Sequence, residues 1–283
     1  LRRQRQMCIR DRIFTECSVY SELVSTPQQC PAVVSSAIQF AVTSPGVSVV
    51  TLPGDLADSD AAVEARPFAV PAPSAVVPSD ETVERMAKAL NSAKKVAIFA
   101  GIGVAGAHDE VIALADTLKA PVGHSLRGKD QIQYDNPFDV GMTGLLGYGA
   151  AAEGLHDADV MVMLGTDFPY DQFLPDVTTI QVDTDPTVIG RRTGVDIPVH
   201  GDVKSTILKL LPELTVKSDR SFLDKTLAKH DKLMNKAVGA YTRKVEKMTP
   251  IHPEYAASIL DQVAARDAVF TADTGMCNVW SAR

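Results

Sequence analysis

Asp139-Val-Gly-Met-Thr-Gly-Leu-Leu-Gly147 lies between two other short segments, Ser125-Leu-Arg-Gly-Lys129 and Gly165-Thr-Asp-Phe-Pro-Tyr170, and together the three decide the fold. Each segment follows or precedes an apolar run typical of a strand, so each is predicted at a strand end of an α/β sheet. Ligands of open α/β sheets bind in the crevice outside the carboxyl ends of the strands. Glycines let the backbone approach a ligand closely, and Arg127 offers a fork of donors suited to a diphosphate. The three segments therefore predict a nucleotide-cofactor site.

Length and composition indicate a soluble globular protein of one large domain or two ordinary ones. The 283 residues are 45% hydrophobic and 22% charged, which is enough for a sizeable core. A net charge of −7 argues against a nucleic-acid partner, because such a partner requires a basic face. No apolar run approaches the roughly 20 residues that span a bilayer. The four cysteines show no C-x-x-C spacing, so we expect neither a zinc site nor a set of disulfides. We therefore expect the protein to be located in the reducing cytoplasm.

Strands and helices alternate through the middle of the chain, which implies a parallel sheet covered by helices on both faces. Ser79 is predicted to cap the first of these helices. The predicted order is helix 80–92, strand 95–100, helix 107–118, strand 121–125, helix 148–156, strand 159–164, strand 178–182, a short helix from Pro186, strand 197–200 and helix 203–211.

Partial α/β units flank this middle domain. The first has helix 28–43 and strand 47–52, and the second has helix 254–264 and strand 268–272 after a charged helix, 221–248, that we expect to cross between domains. Residues 1–12 are read as a basic arm or as sequence foreign to the gene, and the whole chain as a fragment. The predicted divisions are 13–56, a linker 57–78, 79–213, a linker with the long helix 214–252, and 253–283.

The glycine motifs permit more than one interpretation. Gly101-Ile-Gly-Val-Ala-Gly106 satisfies G-x-G-x-x-G, but the next strand, 121–125, ends without the acidic residue of the NAD fingerprint. Conventional NAD binding is therefore disfavoured, while another nucleotide mode or a tight turn stays open. The glycines of 139–147 favour a backbone cradle over loop geometry alone. Ser125 is expected to form hydrogen bonds rather than act as a nucleophile, and Arg127 to contact a phosphate or an ion-pair partner.

Carboxylates follow two further strands. Asp183 and Asp185 come after strand 178–182, and Asp202 comes after strand 197–200. These side chains could bind a ribose or an adenine edge, although Asp185 and Asp202 also stand where helix N-caps belong. The six histidines have no metal-ligand spacing and are expected to be structural.

A series of motifs gives the chain a resemblance to the thiamine-diphosphate-dependent pyruvate oxidases, and within them to the bacterial pyruvate:quinone oxidoreductases. The resemblance runs from about Ile13 to Arg283 and implies three domains: the end of a pyrimidine-binding domain, a complete FAD-binding domain at 79–213, and the start of a diphosphate-binding domain. The motifs are Leu52-Pro-Gly-Asp55, Leu126-Arg-Gly-Lys129, Tyr134-Asp-Asn-Pro137, the 139–147 and 165–170 segments, Gly201-Asp-Val-Lys204 and Ile251-His-Pro253.

The resemblance also implies which residues meet the flavin, with three aspartates at its adenosine end. The family's activating glutamate and its magnesium motif have no counterpart in this sequence, so no catalytic or metal-binding residue carries over. The implied FAD contacts are Ser125, Leu126, Arg127, Gly128, Tyr148, Gly149, Ala150, Ala151, Ala152 and Thr166, with Asp183, Asp185 and Asp202 near the adenosine.

By this resemblance the complete enzyme decarboxylates pyruvate to acetate and CO2 with thiamine diphosphate, Mg²⁺ and FAD, and passes electrons to a membrane quinone. It would be a homotetramer that contacts the inner face of the cell membrane through a C-terminal segment. We expect this fragment alone to be inactive. Alternatives are an acetolactate-synthase or carboligase type with non-redox FAD, oxygen as electron acceptor, and a nucleotide-binding module without chemistry.

Overall fold

The computed structural model describes residues 13–44, 46–60, 69, 72 and 74–283. The predictions for residues 1–12 and for the interior of the linker 57–78 lie outside the described residues. The chain divides into two compact units, one up to Ser74 and one from Ala75, and each is described by itself.

The first unit pairs two short parallel strands under a helix. The stacked rings of Tyr20 and Phe40, 5.1 Å between centroids, join the helix to the first strand. The predicted helix and second strand are confirmed, whereas the first strand was not predicted. The elements are β1 (Tyr20–Leu23), α1 (Cys30–Thr43), β2 (Ser48–Thr51) and α2 (Gly54–Ala57).

The second unit is built on one seven-stranded sheet. Its strands are β3 (Val96–Ala100), β4 (Val122–His124), β5 (Asp139–Met142), β6 (Tyr148–Gly149), β7 (Val160–Leu164), β8 (Thr178–Asp183) and β9 (Ile197–His200). They lie in the order β6-β5-β4-β3-β7-β8-β9. In this sheet only β6 runs antiparallel to its neighbour, so the expected parallel-dominated sheet is confirmed.

Helices cover both faces of this sheet, as expected. The helices of this unit are α3 (Asp80–Ser92), α4 (His108–Leu118), α5 (Lys129–Ile132), α6 (Ala151–His156), α7 (Val203–Leu210), α8 (Ser221–Ala237), α9 (Gly239–Thr242), α10 (Pro253–Val263) and α11 (Met276–Ser281). Ile98 of β3 packs with α3, α4 and α7, while the adjacent Phe99 points to the opposite face with Leu155 of α6 and Phe222 of α8. Both faces are buried, which explains why the central strands are continuous apolar runs.

Four predicted elements differ from the structure. The helix predicted from residue 148 begins only at Ala151, because Tyr148 pairs with Met142 as a strand. No helix follows Pro186, since the Asp185 side chain accepts from Thr187 and closes a local turn instead.

The helix predicted over 221–248 ends at Ala237 and packs on the sheet edge through Leu227 and Leu233, and its crossing between domains stays a prediction. Residues 268–272 form no strand, because no described strand lies beside them to complete a ladder. Among the helices of the described ranges, none is long and apolar enough to cross a membrane.

Candidate functional site

The strand order creates a crevice between β3 and β7. The chain proceeds from β3 outward to β4 and β5, then returns to place β7 on the other side of β3 and proceeds outward to β8 and β9. The loops after β3 and β7 therefore leave the sheet in opposite directions, and such a switch point is where ligands of α/β sheets bind. A cleft of about 500 Å³ opens at this point, lined by the loops after β3, β4, β7 and β8 and by Val203 at the start of α7.

Glycines bring two of these loops into backbone contact. The Gly101 N–H donates to the Leu164 carbonyl at 2.9 Å, and the Gly103 N–H donates to the Gly165 carbonyl at 3.0 Å. A Cβ on Gly103 would lie 2.6 Å from the Gly165 Cα, which is closer than side chains tolerate. Of the two interpretations left open by the sequence, the G-x-G-x-x-G motif therefore makes a tight turn. The Gly103 N–H donates to the Gly165 carbonyl within the protein.

The loop after β4 presents its side chains to the cleft from a fixed backbone. The Ser125 N–H donates to the Ala100 carbonyl at 2.9 Å, and the Ser125 Oγ accepts from the Gly128 N–H at 3.3 Å. The Ser125 hydroxyl thus stabilises its own loop, while its contact with a cofactor stays a prediction. Gly128 is buried against Ala100, so Leu126 and Arg127 project outward and line the cleft.

Arg127 is exposed and forms no ion pair with any residue that the structure describes. The structural ion-pair interpretation therefore has no partner within the described part of the chain. Its guanidinium, which can donate two parallel hydrogen bonds, faces the cleft and could bind a diphosphate.

The loop after β7 supplies the opposite wall. Thr166 is buried and lines the cleft, and Phe168 sets its ring edge against Phe99 with 5.0 Å between centroids. Tyr170 packs edge-on against Phe168 at 5.5 Å. The two aromatic residues give this wall an apolar surface suited to a planar ring. They belong to the 165–170 segment, but the sequence did not show which way their rings point.

An ion-pair cluster that sequence reasoning missed borders the same wall. Asp167 lines the cleft and its Oδ2 lies 2.9 Å from Nη1 of Arg191, while its Oδ1 lies 3.0 Å from Nε of Arg192. The adjacent Arg191 and Arg192, which follow β8 in the sequence, could have indicated an ion-pair cluster. These contacts tie the turn after β8 to the loop after β7.

The three predicted aspartates occupy different positions. Asp183 lines the cleft at the end of β8, where burial raises the pKa of its carboxyl group. Asp185 lies outside the lining, and hydrogen bonds from Thr187 lower its pKa. Asp202 caps α7, because its Oδ1 accepts from the Ser205 N–H at 2.8 Å, and only the next residue, Val203, lines the cleft.

The predicted contacts at Tyr148, Gly149, Ala150, Ala151 and Ala152 lie outside the lining of this cleft. Because β6 is the edge strand, the start of this segment is separated from the switch point by β5, β4 and β3. The Tyr148 hydroxyl donates to Gln133 Oε1 at 2.9 Å, and Ala150 and Ala151 are buried. A flavin contact by these residues stays a prediction.

His124 and Asp139 lie next to each other beside the loop after β4, and His124 contacts the backbone of that loop. His124 is fully buried, and its Nδ1 lies 3.1 Å from the Ser125 carbonyl, which can only accept, so Nδ1 carries the proton. Its Nε2 is then an acceptor, 3.5 Å from Asp139 Oδ1. Burial lowers the pKa of His124 to about 4, so its ring is neutral at neutral pH, and raises the pKa of Asp139 to about 6, so its carboxyl group takes up a proton as pH falls through 6.

The described residues differ in how well they suit each implied cofactor. No group of three His, Cys, Asp or Glu side chains within them could hold a metal ion. The β3/β7 cleft has the size of a small-molecule pocket and a free guanidinium, and it fits part of a flavin nucleotide.

Known proteins share this sequence in part. Residues 83–210 match the family described as the thiamine pyrophosphate enzyme, central domain. An uncharacterized 42.6 kDa protein of Pseudomonas amyloderamosa is 46% identical over 78% of this chain and 57% of its own length. An acetolactate synthase of Mycobacterium bovis is 28% identical over 92% of this chain and 44% of its own. The pyruvate oxidase of Lactiplantibacillus plantarum is 25% identical over 94% and 45%.

The fold is also that of a solved enzyme. The crystal structure of benzoylformate decarboxylase from Polynucleobacter necessarius superposes with a TM-score of 0.68 at 20% identity, over 89% of this chain and 46% of that one. The chain spans about half the length of the curated relatives it matches. The residues that line the β3/β7 cleft all lie inside residues 83–210, the part of the chain that matches the thiamine pyrophosphate enzyme central domain.

Proposed function

We propose that residues 79–213 bind FAD in the β3/β7 cleft and form the flavin domain of an enzyme that oxidatively decarboxylates pyruvate to acetate and CO2. The observation that carries the proposal is the arrangement of this cleft. Ser125–Arg127, Thr166 and Asp183 come from three separate loops and meet at one switch point. They are among the residues that the resemblance assigns to FAD.

Each wall of the cleft suits one part of the nucleotide. The Arg127 guanidinium would hold the diphosphate, and Asp183 would accept hydrogen bonds from ribose hydroxyls. The apolar wall at Phe168 would exclude water from the ligand. FAD, when bound, supplies a two-electron acceptor, while these side chains bind and orient it.

For the complete enzyme we propose thiamine diphosphate and Mg²⁺ as further cofactors, held by parts beyond the described residues. A membrane quinone would receive the electrons at the inner face of the cell membrane, and the enzyme would be a cytoplasmic homotetramer. Support comes from the similarity to a pyruvate oxidase over most of this chain.

An acetolactate-synthase or carboligase type, with FAD bound but not reduced in net turnover, is supported equally by the similarity to acetolactate synthase. Reduction of the flavin by pyruvate in the complete enzyme would favour the oxidase. An unchanged flavin spectrum together with acetolactate formation would favour the synthase.

An FAD titration of the 283-residue chain, followed by flavin fluorescence, tests the proposal. Arg127→Ala should weaken FAD affinity about 10- to 100-fold, because a hydrogen bond to a charged group contributes about 1.5–3 kcal/mol. Lys88→Ala on α3, which also removes an exposed cation, is the matched control and should leave affinity unchanged.

Three outcomes would contradict the proposal. A folded chain without FAD affinity refutes the flavin site itself. Equal effects of the two substitutions remove Arg127 from it. Displacement of FAD by ADP at equal concentration indicates a nucleotide-binding module that does not recognise flavin.

A further inference from the structure

Gln181 is a buried polar residue near the carboxyl end of β8. It stands in β8 between Ile180 and Val182, and only 2% of its surface is exposed. Burying an amide without hydrogen bonds is costly, so the partners of this side chain show what holds it there.

Both ends of the Gln181 amide are hydrogen-bonded. Its Oε1 accepts from the Gly190 N–H at 2.9 Å. Its Nε2 donates to the Thr166 carbonyl at 3.3 Å and, at a longer 3.5 Å, to the Val188 carbonyl. One side chain thus contacts the loop after β7 and the turn after β8.

These two segments are different walls of the β3/β7 cleft, since Thr166 and Val188 both line it. The amide contacts the main chain of each wall and not their side chains. The distance between the loop after β7 and the turn after β8 therefore depends on Gln181, whichever side chains these two segments carry. The Asp167 ion pairs join the same segments at the surface, where water weakens them.

We propose that Gln181 is a positioning residue that sets the spacing of these two walls, and so the affinity of the cleft for FAD. This inference rests on the proposed function. Without the amide, the Thr166 carbonyl and the Gly190 N–H would lose their partner, and the turn after β8 would move relative to the loop after β7.

The test compares Gln181→Met with Thr179→Val in the 283-residue chain. Met has nearly the length of Gln but cannot make either hydrogen bond. Thr179 lies two residues earlier on the same face of β8, is fully buried and donates to the Val177 carbonyl at 2.9 Å, away from the cleft. Gln181→Glu, which keeps an acceptor for Gly190, is a second variant.

Two measurements are made on each variant: hydrogen exchange of peptides covering 164–170 and 185–191 without ligand, and FAD titration. We expect faster exchange in both peptides and about tenfold weaker FAD binding in Gln181→Met, with both unchanged in Thr179→Val. In Gln181→Glu, exchange at Gly190 should stay closer to the wild type than in Gln181→Met.

The results separate the inference from the proposed function. A wild-type chain that does not bind FAD overturns the proposed function and, with it, the claim about affinity. A wild-type chain that binds FAD, with Gln181→Met equal to Thr179→Val in either measurement, overturns the inference alone.

Discussion

Replacing Gly165 by alanine should be strongly destabilising, because two independent costs meet at this residue. Its φ of 57° lies in the left-handed region, where a Cβ costs about 1–2 kcal/mol. The new Cβ would also collide with the Gly103 backbone, which cannot rotate away as a side chain could. Overpacking of this kind adds about 1–3 kcal/mol. We therefore expect Gly165→Ala to lower the free energy of unfolding by about 2–5 kcal/mol.

Two other glycines of the same unit separate these costs. Gly106 has a φ of 73° but open space around its Cβ position, so Gly106→Ala should cost only the backbone strain, about 1–2 kcal/mol. Gly194 has open space and no left-handed φ, so Gly194→Ala should stay within about 0.5 kcal/mol of the wild type.

Hydrogen exchange of β3 and β7 peptides at increasing urea measures the free energy of unfolding of the sheet itself. The expected order of destabilisation is Gly194→Ala, then Gly106→Ala, then Gly165→Ala. If Gly165→Ala lowers the free energy of unfolding no more than Gly106→Ala does, the loops after β3 and β7 are not in rigid backbone contact at Gly103 and Gly165.

Substitutions at two further residues test the buried pair and the helix cap. Burial raises the pKa of Asp139 to about 6, so the contribution of Asp139 to stability is present at low pH and is lost as pH rises through 6. Burial lowers the pKa of His124 to about 4, so the contribution of His124 to stability is present at neutral pH and is lost as pH falls below 6.5. Asp139→Asn removes only the Asp139 contribution, so the Tm of the variant should fall more steeply from pH 7 to pH 4 than that of the wild type. Parallel plots of Tm against pH for the two proteins would contradict this. Asp202→Ala should lower the free energy of unfolding by about 1 kcal/mol, Asp202→Ser should restore it, and FAD affinity should not change. A loss of affinity in both variants would show a ribose contact instead.

Local signals predicted the elements whose ends depend on neighbours in the sequence. Helix α3 begins at Asp80, as predicted, because the Ser79 hydroxyl accepts from the Thr82 N–H and apolar residues recur at helical spacing. Strands β3 and β7 are apolar runs buried on both faces, and their pattern alone shows a central position.

The missed features depend on contacts between distant segments. Strand β5 is short and contains Gly141, so it has no strand pattern until β4 and β6 pair with it. The predicted strand at 268–272 shows the converse, since an apolar run without a described neighbour stays irregular.

The cleft was predictable only in part, for the same reason. Its position follows from where strands end, and Arg127 and Thr166 were identified there. Gln181 was not, because a single polar residue inside a strand shows its purpose only once the loops of β7 and β8 surround it.

The packing of α8 on the sheet edge limits how this protein can be shortened. Edge strands expose unpaired backbone groups that recruit other chains. Leu233 packs at this edge, and His230 lies directly against Gly149 of β6. A chain cut at residue 213 would keep every residue of the cleft but uncover this edge. Such a chain would be prone to self-association, and poor flavin binding by it would reflect aggregation rather than the chemistry of the cleft.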